Sequence, residues 1–318
     1  MFYGWICQAP FVRCSGSLNA SGGAMPHAVH WVSKRDERKT MPNLETRDGT
    51  RLRYKELGEG RPVILIHGWP LSADSWDPIM IKLADAGYRA IAYDRRGFGH
   101  SDHAKTGYDY DTFADDLADV MKATGVTENA ALVGFSMGGG EIARYMSRHD
   151  GKGVTQAVLV SSVVPYMLKT DDNPEGVPQR TFDEMSEGMK TDYRHFFTGF
   201  FKDFYGDGVL SDKVRDEEKH WAWMTTMMAS QYATMQSANA FATTDFRPDL
   251  SSFDVPTLVI HGTKDETVPI DATGRAVAEK VPGAQLIEYD GEPHAVFATQ
   301  TERLGDDLLS FLSGGKSG

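Results

Sequence analysis

From Met41 onward the chain alternates short apolar runs with amphipathic stretches. Pro62-Val63-Ile64-Leu65-Ile66, Arg89–Tyr93, Ala130–Val133, Ala157–Ser161, the run from Val255 to His261 and Gln285–Tyr289 read as buried strands. Leu44–Asp48 and Arg51–Leu57 read as two antiparallel strands turning at Asp48-Gly49. Between the strands, Ile79–Ala86 reads as a helix ending at Gly87, Thr112–Thr124 as one ending at Gly125, and Glu141–Ser147 as a third. Strands that alternate with helices predict an α/β fold, a mostly parallel sheet covered on both faces. The stretch Pro165–Phe246 breaks the rhythm with Met- and aromatic-rich helical segments at His195–Phe204 and Trp221–Met228. An insertion of that size between two strands predicts a helical cap (165–246) over the C-terminal edge of a core formed by 41–164 and 247–313. Most of its large apolar residues are expected to pack the cap onto the core, and a minority to line an apolar pocket.

Composition narrows the function classes. The chain has 318 residues and a formal net charge of -12, a balance that disfavours nucleic acid and anionic membrane as partners. It is expected to be a cytoplasmic enzyme for small molecules, with a homo-oligomer left open. Both cysteines, Cys7 and Cys14, precede the ordered pattern, so the body has no disulfide, and no His-Glu-x-x-His spacing appears. No metal and no cofactor are expected. Residues 1–40 are rich in Gly, Ser and Ala, then mixed in charge from Lys34 to Lys39. Their apolar start lacks a leading charge and is broken by Gly4, Gln8 and Pro10, which fits a disordered extension, or a true start at Met41, better than a secretory signal.

The chemistry concentrates where an apolar run meets Gly134-Phe135-Ser136-Met137-Gly138 and a helical run follows. This layout describes a serine on a sharp strand-to-helix turn, at a helix N-terminus that favours developing negative charge. A serine hydroxyl needs a base, and the base needs an acid to hold its tautomer. Asp265 follows one later strand and His294 follows the last, in the chain order nucleophile, acid, base. Glu266 and Asp271 compete for the acid role, but Glu266 would point the other way, and Asp271 reads as the N-cap of a helix from Ala272. The other histidines, His67 and His261 among them, read as mostly structural. Two backbone N–H groups must face the oxyanion; Met137 and Trp69 are expected to supply them, because Pro70 has no N–H.

These residues carry a resemblance. His67-Gly68-Trp69-Pro70-Leu71, Tyr93-Asp94-Arg95-Arg96-Gly97-Phe98-Gly99, Tyr108–Leu117, Gly134–Gly140, Met167–Thr170, Thr244–Phe246, Asp265 with Val268-Pro269, and Pro293-His294 resemble the α/β-hydrolases. More narrowly, they resemble the cofactor-free haloperoxidases, perhydrolases and aryl esterases. The likeness spans about 41–313. It implies the α/β-hydrolase fold, a Ser136–His294–Asp265 triad and an oxyanion hole at Trp69 and Met137. It also implies hydrolysis of small carboxylic esters through an acyl-enzyme, with hydrogen peroxide as an alternative acceptor yielding a peracid that oxidises halide. Pro70 after the oxyanion tryptophan suggests the peracid reaction. Pro70, Phe135, Thr267 and Val296 are the expected pocket residues. Ala295 stands where a glycine is common, and Gln231–Ala242 matches loosely; both leave the substrate open. A lactonase or amidase would use the same triad, an epoxide hydrolase or dehalogenase would need an aspartate at position 136, and a ligand-sensing protein could keep the pocket without turnover.

Overall fold

The structure, a computed structural model, describes residues 42–207 and 213–314; the expected N-terminal extension and both cysteines lie outside those residues. Strands β1 (Asn43–Glu45) and β2 (Arg51–Leu57) form the antiparallel edge, with Leu44 opposite Leu52. β1 is shorter than its pattern suggests because the chain leaves the ladder at Thr46, whose N–H bonds the Thr50 carbonyl at 2.9 Å while Gly49 turns at φ 85°. Then come β3 (Arg61–Ile66), helix α1 (Asp77–Asp85), β4 (Tyr88–Tyr93), α2 (Tyr110–Ala123), β5 (Ala130–Phe135), α3 (Met137–Arg148) and β6 (Val154–Val160). Four helices follow: α4 (Gln179–Thr191), α5 (Tyr193–Tyr205), α6 (Asp216–Met228) and α7 (Gln231–Thr243). β7 (Thr257–Gly262), α8 (Gly274–Lys280), β8 (Gln285–Tyr289), α9 (Val296–Thr299) and α10 (Thr301–Leu312) complete the order.

The eight strands form one sheet in the order β1-β2-β4-β3-β5-β6-β7-β8, parallel from β4 onward. β5 and β7 are buried at every position, as expected for strands covered on both faces. α1 packs on α10, and α2 on α3. β5, β7 and β8 run the same way, so the segments that follow them emerge at one edge of the sheet, where a parallel α/β sheet builds its sites.

Two local expectations are corrected. The helix after β7 starts at Gly274, and its N-cap position is Thr273, whereas Ala272 with Asp271 as cap was expected. Gly274 is pressed so closely onto His261 that a Cβ there would lie 2.8 Å from Nδ1, and Asp271 instead bonds Arg275 Nη1 at 2.7 Å. Helix α3 starts at Met137 and runs through Gly138, Gly139 and Gly140, three residues that propensity disfavours in a helix. Packing overrides propensity there. A Cβ at Gly138 would meet the Ile66 carbonyl at 2.5 Å, one at Gly139 would meet Ser162 Oγ at 2.0 Å, and one at Gly140 would meet the Tyr110 ring at 2.5 Å.

Candidate active site

Ser136 links β5 to α3 with φ 53° and ψ -117°, a conformation that costs a non-glycine residue about 1–3 kcal/mol. Surrounding close contacts hold it there: a Cβ on Gly134 would lie 2.5 Å from the Gly138 carbonyl oxygen. The turn aims the Ser136 hydroxyl at His294, whose Nε2 is 2.9 Å from Oγ.

His294 follows β8 and is almost wholly buried. Its Nδ1 lies 2.6 Å from Asp265 Oδ2. The carboxylate can only accept, so the Nδ1–H donates to it and Nε2 is left unprotonated, facing the serine hydroxyl. Asp265 sits in the turn after β7, where Oδ1 accepts the N–H groups of Thr267 at 3.0 Å and Val268 at 2.7 Å. Burial alone would raise the Asp265 pKa. The charge of His294 and the hydrogen bonds from His261 and His294 outweigh burial and bring it down to about 2. Glu266 is exposed, and Asp271 is engaged with Arg275; of the three candidate acids, only Asp265 reaches the imidazole.

The loop after β3 lies against Ser136. A Cβ on Gly68 would meet Phe135 Cδ1 at 2.5 Å and Ser136 Cβ at 3.1 Å. His67, fully buried, accepts the Arg95 N–H on Nε2 at 3.0 Å, so its Nδ1–H donates to the Gly68 carbonyl at 2.9 Å. Trp69 is anchored by its indole N–H on the Thr234 carbonyl of α7 at 2.9 Å and by the rings of Phe197, Phe200 and Phe241 at 5.2–5.5 Å. Among the described residues, neither the Trp69 nor the Met137 backbone N–H donates to a protein acceptor.

A cavity of about 430 Å³ opens over Ser136 and His294. Its walls are apolar: Val163 and Met167 after β6, Phe182 and Met185 on α4, Phe200 on α5 and Phe241 on α7. Among the described residues, the acidic groups in its lining are Asp203 and Glu266, both exposed, and His294 is its only basic side chain.

Of the four expected pocket residues, Thr267 lines this cavity, while Pro70, Phe135 and Val296 do not. Phe135 lies behind the base, its ring 4.9 Å from the His294 ring. Val296 is fully buried and donates its N–H to the His294 carbonyl at 2.9 Å. Pro70 is buried and follows a cis peptide bond from Trp69. All three neighbour site residues in sequence but are buried outside the cavity lining. That cap residues line the cavity was expected, but which ones do, from α4, α5 and α7, carried no signal in the sequence, since wall and core aromatics look alike.

Helix α3 rests on a buried ionic cluster. Glu141 pairs with Arg95 and takes the Tyr93 hydroxyl, all within the core. Among the described residues, no three His, Cys, Asp or Glu side chains are arranged to hold a metal ion, and no helix is long and apolar enough to cross a membrane.

The chain is similar to known proteins over most of its length. A family model described as the α/β hydrolase fold matches residues 61–301. A non-heme chloroperoxidase of Kitasatospora aureofaciens is 44% identical over 275 residues, covering 86% of this chain and all of that protein. A bifunctional esterase/perhydrolase of Acinetobacter calcoaceticus is 38% identical, covering 86% of this chain and 99% of its own length. The crystal structure of a bromoperoxidase from Bacillus anthracis superposes with a TM-score of 0.83 at 39% identity, covering 86% of this chain and 99% of that one.

Proposed function

The chain belongs to the α/β-hydrolase family, and on that premise we propose that it is a serine esterase for small carboxylic esters with perhydrolase activity when hydrogen peroxide is the acceptor. The observation that carries the reading is the relay from Asp265 Oδ2 through His294 to Ser136 Oγ, with links of 2.6 and 2.9 Å, opening on an apolar cavity. His294 Nε2 takes the Ser136 proton as Oγ attacks the ester carbonyl, and Asp265 stabilises the imidazolium. The Trp69 and Met137 N–H groups receive the oxyanion. His294 then returns the proton to the leaving alkoxide, which departs as an alcohol, and Ser136 carries the acyl group. Water, deprotonated by His294, releases the acid. Hydrogen peroxide in its place releases a peracid and regenerates the serine hydroxyl. The relatives named for chloroperoxidase and perhydrolase activities support the second acceptor.

The cavity lining favours an uncharged substrate. It offers apolar walls, no lysine or arginine, and two carboxylates, so a neutral ester enters more readily than a free carboxylate. By the same argument, a carboxylic acid serving as perhydrolysis substrate enters protonated.

The test is a paired assay: hydrolysis of p-nitrophenyl acetate, and halogenation of a dye with acetate, peroxide and bromide. Both activities are expected in the wild-type protein, and Ser136→Ala should lose both by at least about a thousandfold. Near-normal ester turnover by that variant would overturn the proposal.

A further inference from the structure

Asp265 faces a second imidazole. His261, the next-to-last residue of β7, is fully buried, with Nε2 3.2 Å from Asp265 Oδ2 and 2.9 Å from the Val268 carbonyl. Both neighbours are acceptors, so Nε2 carries the proton; it donates to the Val268 carbonyl, and Asp265 Oδ2 at 3.2 Å is its weaker second acceptor. Nδ1 is therefore a lone pair. It is buried without a partner, and Gly274 is packed flush against it. The ring has no room to swing away, and its other nitrogen has nothing to bond.

We propose that His261 is a positioning residue for the Ser136–His294–Asp265 relay, tempering the charge on the one oxygen that His294 uses. This deepens the esterase reading and rests on it. Oδ1 of Asp265 is already held by the Thr267 and Val268 N–H groups, so His261 is not needed to fix the carboxylate plane. What it adds is a second, longer N–H contact on Oδ2 at 3.2 Å, beside His294 Nδ1 at 2.6 Å. Each donor on a shared acceptor weakens the other's hold. With His261 in place, Oδ2 grips the His294 imidazolium less tightly, and Nε2 is freed for proton transfer at lower pH.

The other charged groups around His261 are neutralised elsewhere. Glu288, its neighbour across the sheet on β8, is paired with Arg275 at 2.8 Å, as is Asp271 at 2.7 Å. Glu292, in the loop before His294, is paired with Lys213 at 3.1 Å. Lys264 and Glu266 flank Asp265 and are exposed to solvent.

The experiment compares kcat/KM against pH for wild-type protein, His261→Leu and His261→Gln on a neutral p-nitrophenyl ester. Leucine removes the donor, whereas the glutamine amide can present an N–H near the Nε2 position. The acid limb of His261→Leu should move up by roughly half a pH unit to one unit, the reach of a single hydrogen bond, and that of His261→Gln should stay near wild type. A purely structural role would lower activity in both variants and leave the limb in place, which would overturn the proposal. Nitrogen NMR of the histidine side chains in the wild-type protein keeps the test open if His261→Leu does not fold. His261 should appear as the Nε2–H tautomer; an Nδ1–H tautomer would overturn the proposal even if no ester is turned over.

Discussion

Asp265→Asn is the sharpest probe of the relay. An asparagine has one oxygen and one NH2 where the carboxylate has two acceptors. In one orientation its oxygen keeps the Thr267 and Val268 N–H groups at 3.0 and 2.7 Å, and its NH2 faces the two histidines. In the other, it keeps the histidines and sets NH2 against two backbone N–H groups that cannot turn away. The first orientation wins. His261 still has the Val268 carbonyl at 2.9 Å, and His294 can exchange tautomers so that Nδ1 accepts from the amide. The proton then sits on Nε2, pointing at Ser136, and the serine has no base. Loss of the correct tautomer in a Ser-His-Asp relay lowers kcat about 10⁴-fold, or about 5 kcal/mol of transition-state stabilisation. The fold should survive, since both backbone bonds are kept. Pre-steady-state and steady-state hydrolysis of p-nitrophenyl acetate, alongside thermal melting, measure the two effects separately. A folded Asp265→Asn protein with kcat within tenfold of wild type would refute the reasoning.

The same carboxylate predicts a pH effect on stability. Its pKa falls from 3.8 to about 2 on folding, so it contributes about 2 kcal/mol above pH 4 and loses that contribution as pH falls from about 4 towards 2. The urea-unfolding gap between wild type and Asp265→Asn should therefore narrow over that window, and a constant gap would contradict the linkage. Gly68→Ala places a methyl 2.5 Å from the Phe135 ring, which is itself wedged against His294 and Phe297 at 4.9 Å. It should destabilise the protein by about 1–3 kcal/mol and push the loop after β3 off Ser136; unchanged melting and turnover would show that the loop is not packed as described. Asp203→Asn with Glu266→Gln should leave kcat/KM for a neutral ester within about twofold and raise it about fivefold for an anionic ester of similar shape, more at low salt than at high. Equal charge discrimination in the variant and the wild type would show that these carboxylates do not govern entry.

Much of the fold was legible because β5, β7 and their neighbours are buried on both faces, which produces unbroken apolar runs that no surface element would carry. Boundaries were less legible where tertiary contacts overrule local preference. Gly138-Gly139-Gly140 lies before the helix expected from Glu141, yet it is helical, and Ile66, Ser162 and Tyr110 leave no space there for side chains. Asp271 reads as a cap, yet α8 begins only after Gly274 has cleared the His261 ring. Phe135 and Val296 read as pocket residues from proximity in sequence, but adjacent residues leave a turn in different directions: Phe135 packs against the His294 ring, and Val296 is fully buried outside the cavity lining.

The succession of strands along the chain, and the candidate nucleophile, acid and base, follow from sequence alone, because hydrophobic periodicity and strand-end turns are local properties of a chain. What only the tertiary structure decided is which distant groups meet. Aromatics of α4, α5 and α7 became a cavity wall, a Thr234 carbonyl became the anchor of Trp69, and a histidine that reads as core filler came to share an oxygen with His294. Those pairings depend on how separately formed elements pack, and a contact across 165 residues, like that of Trp69 with Thr234, has no periodicity to betray it.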